Sequence, residues 1–141
     1  MIPSLWFRWL AVAIFGVMLF GASMAVLPEM ARDLFSLLFH ASPGEFQARY
    51  PADANRYILF AHGVLGATML GWGAAMLLIL RGPFRRCEPD GWTMLAAPLV
   101  LWFIADSAFS LFTGFWQNVL LNAVLLLIFG IPLGATRKYF S

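Results

Sequence analysis

A chain of 141 residues fits a single domain, but 62% hydrophobic and 11% charged residues, with a positive mean hydropathy, exclude an ordinary soluble one. Too few polar side chains remain to cover the apolar surface, so lipid must cover it. A formal charge of +2, with the basic residues scattered beside apolar segments, excludes nucleic acid as a partner; the single cysteine, Cys87, excludes an internal disulfide, and no Cys/His spacing resembles a metal site.

A transmembrane helix needs about 20 mainly apolar residues to cross a ~30 Å hydrocarbon layer. The first stretch that qualifies is 5–27, interrupted only by Arg8 and closed by Pro28. Its competing reading is a signal peptide cut after Ser23-Met24-Ala25, but the apolar run exceeds the ~7 to 15 residues of a secretory core. Span one it is, with Gly16 and Gly21 as a packing surface.

Residues 28–56 form a long connection. Over Pro28 to His40, Leu27, Met30, Ala31, Leu34, Phe35, Leu38 and Phe39 share one side, and Arg32, Asp33, Ser36 and His40 the other. This pattern predicts an amphipathic helix on the outer membrane surface. Ser42-Pro43-Gly44-Glu45 matches a capping box with proline at the first helical position, so a second short helix should begin there. Asp53 is placed to cap the start of span two. The segment reads as a connection over the outer end or as a lid above a cavity.

Span two is expected at 57–80, with a stripe of Gly63, Ala67, Gly71 and Ala75 at four-residue spacing. Such a stripe lets another helix approach closely, either span one or a second copy of the chain. The basic stretch Arg81-Gly-Pro-Phe-Arg85-Arg86 comes next, beside Cys87, whose position also suits palmitoylation. Spans three and four are expected at 92–113 and 116–135, joined so closely that they form a tight hairpin, with Pro98 and Pro132 as kink sites.

Basic residues in short loops stay cytoplasmic. With both termini inside, the inner segments hold six (Arg8, Arg81, Arg85, Arg86, Arg137, Lys138) against three outside (Arg32, Arg49, Arg56). The expected fold is therefore all-α: a four-transmembrane-helix bundle, one integral domain over 1–141, with N- and C-termini cytoplasmic and an amphipathic outer-surface helix between spans one and two.

Ionisable residues inside a span cost ~2.5 to 3.5 kcal/mol on insertion scales, and so ask for a partner or a function. Asp106 shares a face with Ser110, while Asn118 and Asn122 enter from the same side on span four. At ~1.5 Å per residue, Asp106 and Asn122 reach similar depths of roughly 10 Å, comparable to His62 and Ser23. These six residues define a candidate polar pocket. In one reading Asn122 and His62 bond to Asp106 and lock the helices; in another, Asp106 and His62 form a carboxylate and imidazole pair that binds a head group or moves a proton. Haem lacks a second axial histidine within the spans.

The stretch Tyr57-Ile-Leu-Phe-Ala-His-Gly-Val-Leu-Gly-Ala-Thr-Met-Leu-Gly-Trp-Gly73, with Asp106-Ser107 and Asn118-Val-Leu-Leu-Asn122, resembles small bacterial membrane proteins, and the four-span layout is similar to the DoxX-like group. That resemblance implies a four-helix fold in a bacterial inner membrane and a link with quinone and thiol redox chemistry. A lone cysteine cannot carry the thiol part, so only the fold is carried over. The functional expectation is a non-enzymatic membrane protein that binds a lipid or quinone-like molecule or serves as an accessory subunit. A proton-coupled carrier or membrane enzyme using Asp106 and His62, and a homo-oligomeric scaffold, are the alternatives.

Overall fold

A computed structural model describes residues 2–40 and 43–140. Six α-helices run in chain order: α1 Ser4–Val26, α2 Pro28–His40, α3 Pro43–Arg49, α4 Ala52–Ile79, α5 Gly91–Phe112 and α6 Trp116–Thr136; a π turn, Leu80–Phe84, continues α4 and a short 3₁₀ turn, Arg137–Tyr139, follows α6. No strand occurs among the described residues. Four helices, α1, α4 with its π turn, α5 and α6, are long and apolar enough to cross a membrane, and only 22% to 28% of each apolar window is buried by protein. Hydrocarbon is the natural cover for the rest. The all-α, four-span reading therefore holds, with boundaries within a residue or two for α1, α5 and α6.

Span two departs further. Its helix begins at Ala52, five residues before the expected start, and its 28 residues rise about 42 Å, more than a ~30 Å hydrocarbon layer needs. The extra length is Ala52-Asp53-Ala54-Asn55-Arg56, a polar turn that hydropathy alone cannot distinguish from loop. Asp53 sits in the first turn, and Pro51 O accepts from Asn55 N at 3.0 Å. At the other end Pro83 has no N–H to give, and the ladder widens: Arg85 N reaches Leu80 O at 3.2 Å, an i to i−5 bond.

By its internal contacts the chain divides into residues 16–73 and residues 1–15 with 74–141. In the first unit, α1 and α4 approach through glycine. A Cβ on Gly66 would lie 2.5 Å from Gly21 O and 2.6 Å from Ala25 N, and one on Gly21 would lie 2.7 Å from Gly66 O. Gly73 likewise leaves room for Met18. The expected stripe is not the contacting one: Gly63 and Gly71 have nothing within 4 Å of an added Cβ, and Ala67 is exposed. The reason is angular. Gly66 and Gly73, seven residues apart, share one line on the helix, whereas a four-residue repeat drifts ~40° at each step and lies around the side of it.

Helix α2 is amphipathic as expected, but its inward line mixes the two expected sides, with Ala31 and Phe35 beside Arg32 and Ser36. Arg32 and Ser36 are 7% and 2% exposed, while Met30, Leu34, Leu37 and Leu38 are open to the surroundings. Arg32 turns inward because it has partners there: it donates to Asn55 Oδ1 on α4 at 3.1 Å and to Asp33 at 2.9 Å. The Phe35 ring packs near His62, Phe20 and Phe39. In lipid such an arrangement costs nothing in exposed apolar area. Helix α3 begins with Pro43, as the capping-box reading required; Ser42, the cap itself, lies outside the described residues.

In the second unit, two helix ends close with the same pair of backbone bonds. Phe115 N donates to Ser110 O and Gly114 N to Leu111 O, with Gly114 at φ 85°; Glu88 N donates to Pro83 O and Cys87 N to Phe84 O, with Cys87 at φ 55°. Both are Schellman motifs, which need a left-handed residue after the helix. Glycine supplies it freely in the α5–α6 turn, while Cys87 supplies it against the preference of a side chain. Gly91 then passes so close to Pro83 and Phe84 that a Cβ would sit 2.7 Å from Pro83 C.

Pro98 and Pro132 both lie inside continuous helices. Pro132 leaves the carbonyl four residues back, Ile128 O, without its usual amide donor. The Trp9 indole N–H fills that role from α1 at 2.9 Å. A second indole, Trp92, donates to Leu133 O at 2.7 Å.

Candidate functional site

The turn at Gly114 folds α6 back along α5 and aligns their polar residues. Asp106 Oδ1 accepts from Asn118 Nδ2 at 2.8 Å and from Ser110 Oγ at 3.2 Å, while Asn118 Nδ2 also reaches Ser110 Oγ at 2.9 Å. A turn deeper, Asn122 Nδ2 donates to Ser107 Oγ at 3.3 Å. Ser107, Ser110 and Asn122 are 7%, 4% and 2% exposed, and Asp106 is half-buried. Interhelical bonds of this kind contribute about 0.6 to 2 kcal/mol each, so the hairpin is pinned at two levels.

The pairing differs from the expectation in one respect. Asp106 and Asn122 do lie at matched distances from the turn, but Asn118 takes the carboxyl and Asn122 takes Ser107. Depth is set by residue count, whereas partner choice is set by direction around the helix. Ser107 is ~100° around α5 from Asp106 and points into the α6 contact, where Asn122 is buried. Depth and charge do not single out Ser107 in the sequence; its position one residue from Asp106 and three from Ser110 is the signal that marks it.

The other two expected residues belong to the 16–73 unit and find partners there. Ser23 Oγ donates to Phe20 O at 2.7 Å. His62 Nδ1 lies 2.8 Å from Ile58 O, which fixes the proton on Nδ1, and its ring centroid is 5.5 Å from that of Phe35. Both are satisfied within their own neighbourhood.

The distribution of bonds on Asp106 carries the chemistry. Both end on Oδ1, and among the described residues none ends on Oδ2. Nor is Oδ2 sealed inside the protein: among the described residues the one buried side-chain oxygen or nitrogen without a partner is Gln117 Oε1. Oδ2 is therefore at least partly accessible, about two turns from the end of α5, a helix whose Phe109 and Phe112 are also exposed. An oxygen so placed in hydrocarbon is costly unless a donor meets it. Among the described residues no group of three His, Cys, Asp or Glu is gathered that would hold a metal ion.

Fold and site together define an all-α protein with four membrane-length helices and a polar network pinned across its last hairpin. Comparison with protein-family models, with curated proteins and with solved structures finds no match to the chain.

Proposed function

We propose that this is a small multi-pass protein of a bacterial inner membrane, with both termini cytoplasmic, that binds a lipid or quinone-like molecule as a non-enzymatic or accessory component. The observation that supports it is the division of labour on Asp106: Oδ1 is held by Ser110 and Asn118, while among the described residues no hydrogen bond ends on Oδ2, which is not fully buried. A quinol or lipid hydroxyl donating to Oδ2, with its apolar body along Phe109 and Phe112, would satisfy the carboxyl and keep water out. The six-to-three excess of Lys and Arg supports the orientation. A DoxX-like kinship is part of this proposal and rests on the resemblance in four-span layout alone. Asp106 bonds to Ser110 and Asn118 and His62 to Ile58 O, with no hydrogen bond between the two among the described residues, which favours binding over an Asp106–His62 proton relay.

Asp106→Asn tests the reading. Asparagine retains an acceptor for Asn118 and Ser110 but puts an amide donor where Oδ2 stood. The variant should fold normally by circular dichroism and elute as the parent does, while mass spectrometry of gently purified protein should find the parent's bound quinone or lipid depleted about tenfold. An unchanged complement of bound molecules would refute the binding role.

A further inference from the structure

A second polar feature lies where α5 begins and α6 ends, and the Asp106 network has no part in it. It is a cleft of about 550 Å³ lined by Pro89, Trp92, Thr93, Gly134, Arg137, Lys138 and Phe140. Arg137 is held with its guanidinium 4.6 Å from the centre of the Trp92 ring, and Lys138 Nζ lies 5.4 Å from the Tyr139 ring. The Trp92 indole N–H is spent on Leu133 O, so the ring is fixed as a floor under Arg137. Thr93 adds a hydroxyl, and the α5 N-terminus, where Asp90 makes no side-chain cap, adds the positive end of a 22-residue helix. Charge at this end is lopsided: Arg81, Arg85, Arg86, Arg137 and Lys138 stand against Glu88 and Asp90, and Glu88 is paired with Arg86 at 2.6 Å.

From this cleft we infer a binding site for the phosphate of an anionic glycerophospholipid. Arg137, Lys138 and Thr93 line a space large enough for a head group, at the end of two apolar helices whose flanks would receive the acyl chains. Aromatic rings at such a level are the residues that favour the head-group layer. A zwitterionic choline lipid brings its own cation towards Arg137 and Lys138 and is disfavoured.

The test is native mass spectrometry of the full chain released from detergent after mixing with phosphatidylglycerol or phosphatidylcholine. Phosphatidylglycerol should be retained preferentially, and the double variant Arg137→Gln, Lys138→Gln should lose it about 30-fold, or about 5-fold for each cation. Since these cations also bear on topology, Gly134→Leu provides a charge-neutral check. A Cβ at Gly134 meets nothing within 4 Å and Gly134 lines the cleft, so leucine there should occupy the space and displace the lipid. Arg85→Gln, Arg86→Gln removes equal charge outside the cleft and should leave retention near that of the parent. Equal loss in both double variants, or full retention in Gly134→Leu, would overturn the inference. An added arm with inorganic phosphate, at ionic strength matched by sodium chloride, identifies the source: competition assigns the site to the phosphate group from either source, and its absence assigns the site to the whole lipid. None of these variants touches Asp106, so failure here and failure of the Asp106 reading are separable.

Discussion

Replacing Gly66 with alanine adds one carbon at the closest approach of α1 and α4. That carbon would meet Gly21 O at 2.5 Å, Ala25 N at 2.6 Å and Met24 Cβ at 2.7 Å. Two of these are backbone atoms and the third is the root of a side chain, so none can swing aside. Ordinary contact requires 3.4 Å or more, so the helices must part by nearly 1 Å. A gap of 0.5–1 Å forfeits a quarter to a half of the dispersion well for each atom pair, and overpacking of this type costs about 1 to 3 kcal/mol. In a membrane, dispersion is much of what holds helices together, so little compensates. The unfolded fraction should rise about 5- to 150-fold, read by denaturant titration in detergent with circular dichroism. Gly71→Ala, which meets nothing within 4 Å, is the matched control and should lie within ~0.5 kcal/mol of the parent. Equal destabilisation by the two substitutions would refute the assignment of the contact to Gly66.

The two left-handed helix ends predict opposite responses to exchange between glycine and a side chain. Gly114→Ala should destabilise by about 1 kcal/mol, and Cys87→Gly should stabilise or at least not harm the fold, both read from the same titration. Trp9→Phe keeps an aromatic ring but removes the donor to Ile128 O, so it should cost about 1 to 2 kcal/mol and hasten amide exchange around Ile128 by hydrogen–deuterium mass spectrometry.

Hydrophobic run length located α1, α5 and α6 to within two residues because a membrane enforces one length on every span. The same criterion misplaced the start of α4, since Asp53, Asn55 and Arg56 lie in a polar turn that follows helical geometry with no hydropathic mark. Depth and helix face placed Asp106, Ser110 and Asn118 in one polar cluster, because the short turn at Gly114 leaves few ways to align two helices. It misassigned Asn122, because depth is a property of residue count whereas azimuth depends on how the helices roll against one another. The glycine contact fell on Gly66 and Gly73 for the same reason. On α2 the error was one of solvent: a polar face points outward only where water waits, and Arg32 instead reaches Asn55. Which partner meets a polar side chain is tertiary information.

Proline within a membrane helix commonly creates a swivel, because the bond it deletes frees the two halves to rock. At Pro132 the freed carbonyl is fastened to an indole belonging to a separate helix. Any rocking would first have to break that fastening, leaving an acceptor stranded in oil. The proline position in α6 is thereby turned from a moving part into a brace, held by one aromatic side chain near the start of the chain, more than a hundred residues away in sequence.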